Sequence, residues 1–182
     1  MTVHDVLERA KEDFLRADED IRHLLHNHKE LLWKPAPDKW SAAQCIEHIM
    51  VSNTRYFEAL ENKLAVLEGK EKNKQPYRPT FWGKLLYKAV DPDRMKSHKS
   101  KAPKIFNPQP VVEIPTLITR FERSQQVLQG FLHKTMETDA TQKIQSPVSR
   151  FISYSLADTM AILSKHEIRH FLQAKNVLAL RG

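Results

Sequence analysis

Apolar residues recur every three or four positions through four long stretches of this 182-residue chain, the spacing of amphipathic helix. In the first they are Val6, Leu7, Ala10, Phe14, Ala17, Ile21, Leu24, Leu25, His28, Leu31 and Leu32, which predicts a helix from about Val3 to Leu32. Thr2 with Asp5 resembles a capping box at its start, and Pro35 and Pro37 stop it. Ser41, with Gln44 three residues on, opens a second helix. Its apolar face carries Cys45, Ile49, Ser52, Tyr56, Leu60, Leu64 and Leu67, and it ends near Gly69. A third starts at Pro115 and carries Leu117, Ile118, Phe121, Gln125, Leu128, Phe131 and Leu132 to about Thr138. The fourth runs from Ser153 or Ser155 to Leu180. No segment shows sustained strand alternation. Four long helices predict an all-α fold, a four-helix bundle with one long crossover connection.

That crossover is residues 70–113, which hold six of the ten prolines and a predicted short helix over Phe81–Lys88. Between Lys70 and Lys104 stand 11 Lys/Arg against 3 acidic residues, a balance of +8; the remainder of the chain carries −1. Phe81, Trp82, Leu85, Leu86 and Tyr87 gain by burial, so the segment is expected to fold back over the bundle and restrict access to it. Clustered cations beside Trp82 and Tyr87 are compatible with phosphate binding and base stacking. No recognition helix or other nucleic-acid module accompanies them. A basic loop lining a pocket for an anionic substrate explains the same charges, and nucleic acid is not the expected partner.

The length fits one domain spanning 1–182, with enough chain for a real core. Four glycines are too few for folds built on phosphate-cradling loops. The single cysteine, Cys45, excludes an intramolecular disulfide and argues against a thiolate zinc site; it reads as a small buried hydrophobe. Met1–Asp5 shows no signal-peptide pattern, and no apolar run approaches the ~20 residues of a spanning helix. A cytoplasmic protein without a membrane partner is expected.

The chemistry-bearing residues lie in the last helix. His166 and His170 are four apart and so project from one face, about 5–6 Å between Cβ atoms, close enough to bind one ion. They fall on the stripe Leu156, Thr159, Leu163, His166, His170, Gln173, Val177, so they should point inward, where a polar side chain needs a partner. His166-Glu167-Ile168-Arg169-His170 matches the zincin pattern, in which the glutamate acts as base. Glu167, about 60° around the helix from His170, is a candidate catalytic base at the edge of the site. The twelve residues after His170 offer no His, Asp or Glu as a third ligand, which excludes a zinc peptidase of that type. A third ligand must come from upstream, and His48, near the inward face of the second helix, is the best candidate. Core histidines hydrogen-bonded to neighbours, with His48 at the surface, are the alternative.

The stretch Trp33–Ile49, with Trp40-Ser41 before the second helix and His48 within it, resembles the DinB/YfiT-like superfamily. So does His166-x-x-x-His170 followed by Gln173, and Lys101–Pro108 in the crossover is similar to that family as well. The resemblance implies a four-helix bundle holding a divalent metal, nickel or zinc most often, on His48, His166 and His170. It implies a metal-dependent transferase or hydrolase acting on a small molecule, a low-molecular-weight thiol being the class known among relatives. A non-catalytic bundle stapled by metal, or a protein-interaction module, is the competing expectation. A homodimer is the expected assembly.

Overall fold

The computed structural model describes residues 1–27, 29–67, 73–94 and 103–181. Among these residues, five helices lie in the order α1 (Val3–Asn27), α2 (Ala42–Ala65), α3 (Phe81–Val90), α4 (Ile114–Met136) and α5 (Leu156–Ala179). Single 3-10 turns stand at Pro92–Arg94 and Lys104–Phe106, and a two-stranded hairpin, β1 (Lys143–Ser146) with β2 (Ser149–Ser155), leads into α5. The four long helices form the expected bundle. α1 packs on α5 and α4, and α2 packs on the same two, so α2 and α5 are neighbours. That adjacency brings His48 within reach of the last helix.

Capping chemistry sets the helix starts as the sequence predicts. Thr2 and Asp5 exchange backbone–side-chain bonds, as do Ser41 with Gln44 and Ser155 with Asp158. Ser155 is therefore the N-cap of α5, and Ser153 belongs to a strand. The hairpin departs from the expectation of a chain without strands. Ile144 and Tyr154 alternate inward and are buried, while Phe151 on the opposite side is 80% exposed. Pro147 and Val148 make the turn, and the inward apolar side chains, Ile144 in β1 with Ile152 and Tyr154 in β2, span too short a run of alternation to read. The other departure is the end of α1 at Asn27 rather than Leu32, with Asn27 Nδ2 donating back to the His23 carbonyl. Leu31 still enters the core, and its carbonyl accepts from Ala43 N, so the apolar register outlives the helix. The expected helix position of His28 and the expected end of the second helix at Gly69 lie outside the described residues; α2 itself closes at Ala65.

The core has two apolar halves. One, around Leu7, Phe14, Leu60, Leu128, Tyr154 and Leu163, lies toward the hairpin; the other is built on Ile21, Leu24, Ile46, Ile49, Leu117 and Phe121. Between them runs a layer of buried polar residues: Ser52 and Asn53 from α2, Ser124 and Gln125 from α4, and Glu167 from α5.

The described parts of the crossover, 73–94 and 103–113, do fold back. Trp82, Leu86 and Val90 of α3 pack against the hairpin half of the core, and Phe106 is buried. Phe81, Leu85 and Tyr87 correct the expectation, remaining 76%, 49% and 37% exposed on α3.

Candidate metal centre

His48 stands in the second turn of α2, buried against α5, where His166 and His170 stand one turn apart. The three rings meet. Centroids are 5.0 Å apart for His48 and His166, 4.3 Å for His48 and His170, and 4.4 Å for His166 and His170. One ligating nitrogen from each lies within 4.8 Å of the others, and among the described residues this is the group of His, Cys, Asp and Glu that could hold an ion. The His48 and His166 Nε2 atoms are 3.2 Å apart. Two ligands at about 2.0–2.1 Å from one tetrahedral ion stand roughly 3.4 Å from each other.

Hydrogen bonds set which nitrogens are offered. His48 Nδ1 donates to the Phe106 carbonyl at 2.6 Å, and His170 Nδ1 donates to Gln173 Oε1 at 2.8 Å. With the Nδ1 positions holding the protons, both Nε2 lone pairs turn toward the common point, the arrangement of metal-ligating histidines fixed by outer partners. Burial holds all three rings below the ordinary histidine range, His166 down to about 3, with mutual repulsion adding for His166 and His170. Neutral imidazoles are the form that ligates. His166 Nδ1 is buried without a hydrogen-bond partner. The donor set therefore fits a divalent ion better than it fits three hydrogen-bonded core histidines.

Other residues singled out in the sequence fall as follows. Trp40 forms a wall, its ring 4.8 Å from His48 and 6.3 Å from His170. Gln44 closes the α2 capping box and ties the crossover down through Nε2 to the Gln109 and Pro110 carbonyls; it has no part in the histidine cluster. Tyr56 is core, its hydroxyl accepting from Tyr154. Arg169 is partly buried and donates to the Asp91 carbonyl. Glu167 does not join the histidines. Its side chain is wholly buried in the polar layer, where Oε1 accepts from Asn53 Nδ2 at 2.7 Å and Gln125 Nε2 at 2.9 Å. Burial pushes its carboxyl up to about 7. The Phe106 carbonyl could not be found by residue type, since any residue offers one. Lys101 and Ala102 lie outside the described residues.

A family model described as the DinB superfamily matches residues 7–174. The chain belongs to the DinB superfamily. No curated protein and no solved structure matches it. Membership and the three-histidine group together mark a protein whose site can bind a metal ion. Among the described residues no helix is long and apolar enough to cross a membrane.

Two expected results arise from this geometry. Gln173→Ala removes the acceptor that holds the His170 tautomer, and metal affinity measured by competition with a chromogenic chelator should fall about 10–100-fold. Cys45 is fully buried, and burial raises its thiol to about 12. The folded protein at pH 8 should therefore leave Cys45 unlabelled by a disulfide reagent, with labelling appearing only on denaturation.

Proposed function

We propose that this member of the superfamily is a metal-dependent enzyme that activates a small-molecule thiol for transfer, or water for hydrolysis, at His48, His166 and His170. The observation that carries the reading is the three-imidazole group itself: three protein ligands, with no fourth His, Cys, Asp or Glu joining them among the described residues. Three ligands are the pattern of catalytic sites, whereas structural sites close with four. A divalent ion held there, nickel or zinc by family resemblance, supplies a Lewis acid that yields a nucleophile near neutral pH. The protein's share is orientation and exclusion of water. Phe106 and Gln173 hold two of the rings, and Trp40 closes the side over His48 and His170. Arg169, one turn from His166 on α5, places positive charge near the rings and lowers their affinity for protons. The same charge favours an anionic substrate, consistent with a thiolate carrying carboxylates. Glu167, engaged by Asn53 and Gln125, is not the base in this reading.

The test is elemental analysis of protein purified without a histidine tag, followed by a transfer screen with low-molecular-weight thiols. One ion per chain, lost in His48→Ala and His166→Ala together with turnover, is the expected result. One ion per chain with no turnover on any thiol or ester would leave the metal as a staple of the bundle. No ion at all would end the metal reading.

A further inference from the structure

We propose that the outer face of α3 and the adjoining hairpin dock on the surface of an anionic lipid bilayer. α3 packs beside β2, and apolar side chains stand exposed on α3, the hairpin turn and β2: Phe81 at 76% exposure, Leu85 at 49%, Val148 at 46% and Phe151 at 80%. Exposed apolar groups on neighbouring elements, rimmed by polar ones, mark contact surfaces. These groups cannot turn inward. Trp82, Leu86 and Val90 already fill the inner side of α3. The helix is also clasped to α5 through Asp158, which accepts from the Thr80 backbone and hydroxyl and from Tyr77.

Charge decides the occupant. Lys84 and Lys88 on α3, Arg78 before it, and Lys143 and Arg150 on the hairpin are all exposed. Residues 73–90 and 143–155 contain no Asp or Glu. Arg150 stacks over the Phe151 ring at 5.0 Å, so a cation travels with the most exposed aromatic. A second copy of the chain would set this face against itself in a two-fold contact and oppose cation to cation. Phosphate alone, as in nucleic acid, would use the cations and leave Leu85 and Val148 wet. A bilayer surface takes both, burying apolar side chains at the headgroup boundary while anionic lipids hold the Lys and Arg. The expectation of a chain without membrane contact rested on the lack of a spanning segment, which a surface contact does not require.

The test is co-sedimentation of the full chain with vesicles of phosphatidylcholine alone or mixed equally with phosphatidylglycerol. The parent should partition roughly tenfold or more in favour of the anionic vesicles, and lose most of that preference in about 1 M salt. Phe81→Ser with Phe151→Ser, and separately Lys84→Glu with Lys88→Glu, should each weaken binding about tenfold. Both pairs are exposed, so their melting temperatures should match the parent. Val111→Ser, at a site 77% exposed but remote from the patch, should change nothing. Absent binding, equal binding to neutral vesicles, or anionic binding untouched by both double variants overturns the proposal. So does a parent dimer, seen by sedimentation, that the Phe81/Phe151 variant abolishes. Retention on duplex DNA with no vesicle partition would show a phosphate-binding face instead.

Discussion

Glu167→Ala is expected to cost the metal-free protein about 2–5 kcal/mol of unfolding free energy at pH 5, measured by urea denaturation. The carboxyl oxygen that accepts from Asn53 and Gln125 disappears, and both amide donors lie in a fully buried layer where water cannot replace it. Each orphaned donor costs about 1–3 kcal/mol. Glu167→Gln should behave differently. The amide keeps an acceptor for both bonds and brings a donor into a layer where Asn53 Oδ1 and Gln125 Oε1 are buried without partners. The pH dependence separates the two. Burial raises the folded carboxyl from 4.5 to about 7, so the folded state binds the proton more tightly than the unfolded chain. That contribution is fully present below about pH 4.5 and fades as pH rises through about 7, a loss of about 3 kcal/mol across the window. The three buried histidines, whose lowered proton affinity makes both proteins gain stability as pH rises, act alike in parent and variant, so the difference between the two isolates Glu167. From pH 5 to pH 8 the metal-free parent should lose about 3 kcal/mol relative to Glu167→Gln, which becomes the more stable of the two at pH 8. A stability difference between parent and Glu167→Gln that is flat over this range would show that the carboxyl is ionised in the fold and neutralised by something else.

The polar layer also shows where the sequence stops being legible. Gln125 stands in the apolar stripe of α4 and reads as one more inward position; Glu167, beside His166, reads outward as an edge of the metal site. Their meeting with Asn53 depends on α2, α4 and α5 sharing one level of the bundle, which no single helix pattern contains. The histidines were legible for the opposite reason. His166 and His170 replace apolar residues at helical spacing, so the local pattern alone demands a partner for them, and His48 lies near the same inward face of its own helix. Their outer partners divide in the same way. Gln173 is one turn from His170 and visible as such, whereas the Phe106 carbonyl comes from the crossover and carries no signature. The bundle followed from apolar spacing. The hairpin did not, because its strands are short and rich in serine, and Leu31 misled because burial continued where the helix had ended.

Asp158→Ala should be the most damaging single change at the hairpin end, lowering unfolding free energy by about 3–5 kcal/mol. Asp158 is the third residue of the α5 capping box, but its buried carboxylate does more than cap. Oδ2 accepts from Ser155 N at 3.1 Å, Thr80 N at 3.1 Å and Thr80 Oγ1 at 2.8 Å, and Oδ1 accepts from the Tyr77 hydroxyl at 2.6 Å. Two of those partners, Tyr77 and Thr80, lie just ahead of α3, and Thr80 is its N-cap, so one carboxylate fastens the crossover to the last helix. Tyr77 answers to the same group: burial first, then Asp158, push its hydroxyl far above the usual tyrosine range. Gly83 completes the clasp. A Cβ there would run into the Asp158 carboxylate, a side chain with no freedom to retreat because four bonds hold it. Gly83→Ala should therefore destabilise although alanine is the better helix former by about 1 kcal/mol. Its distinguishing readout is local. Amide exchange should quicken over residues 81–90 in Gly83→Ala while α1, α2 and α4 keep their protection, since Trp82 and Leu86 leave their seats when the clasp opens. A Gly83→Ala protein with parent exchange rates across α3 would mean that the carboxylate can move aside, and that the crossover is held by its apolar contacts alone.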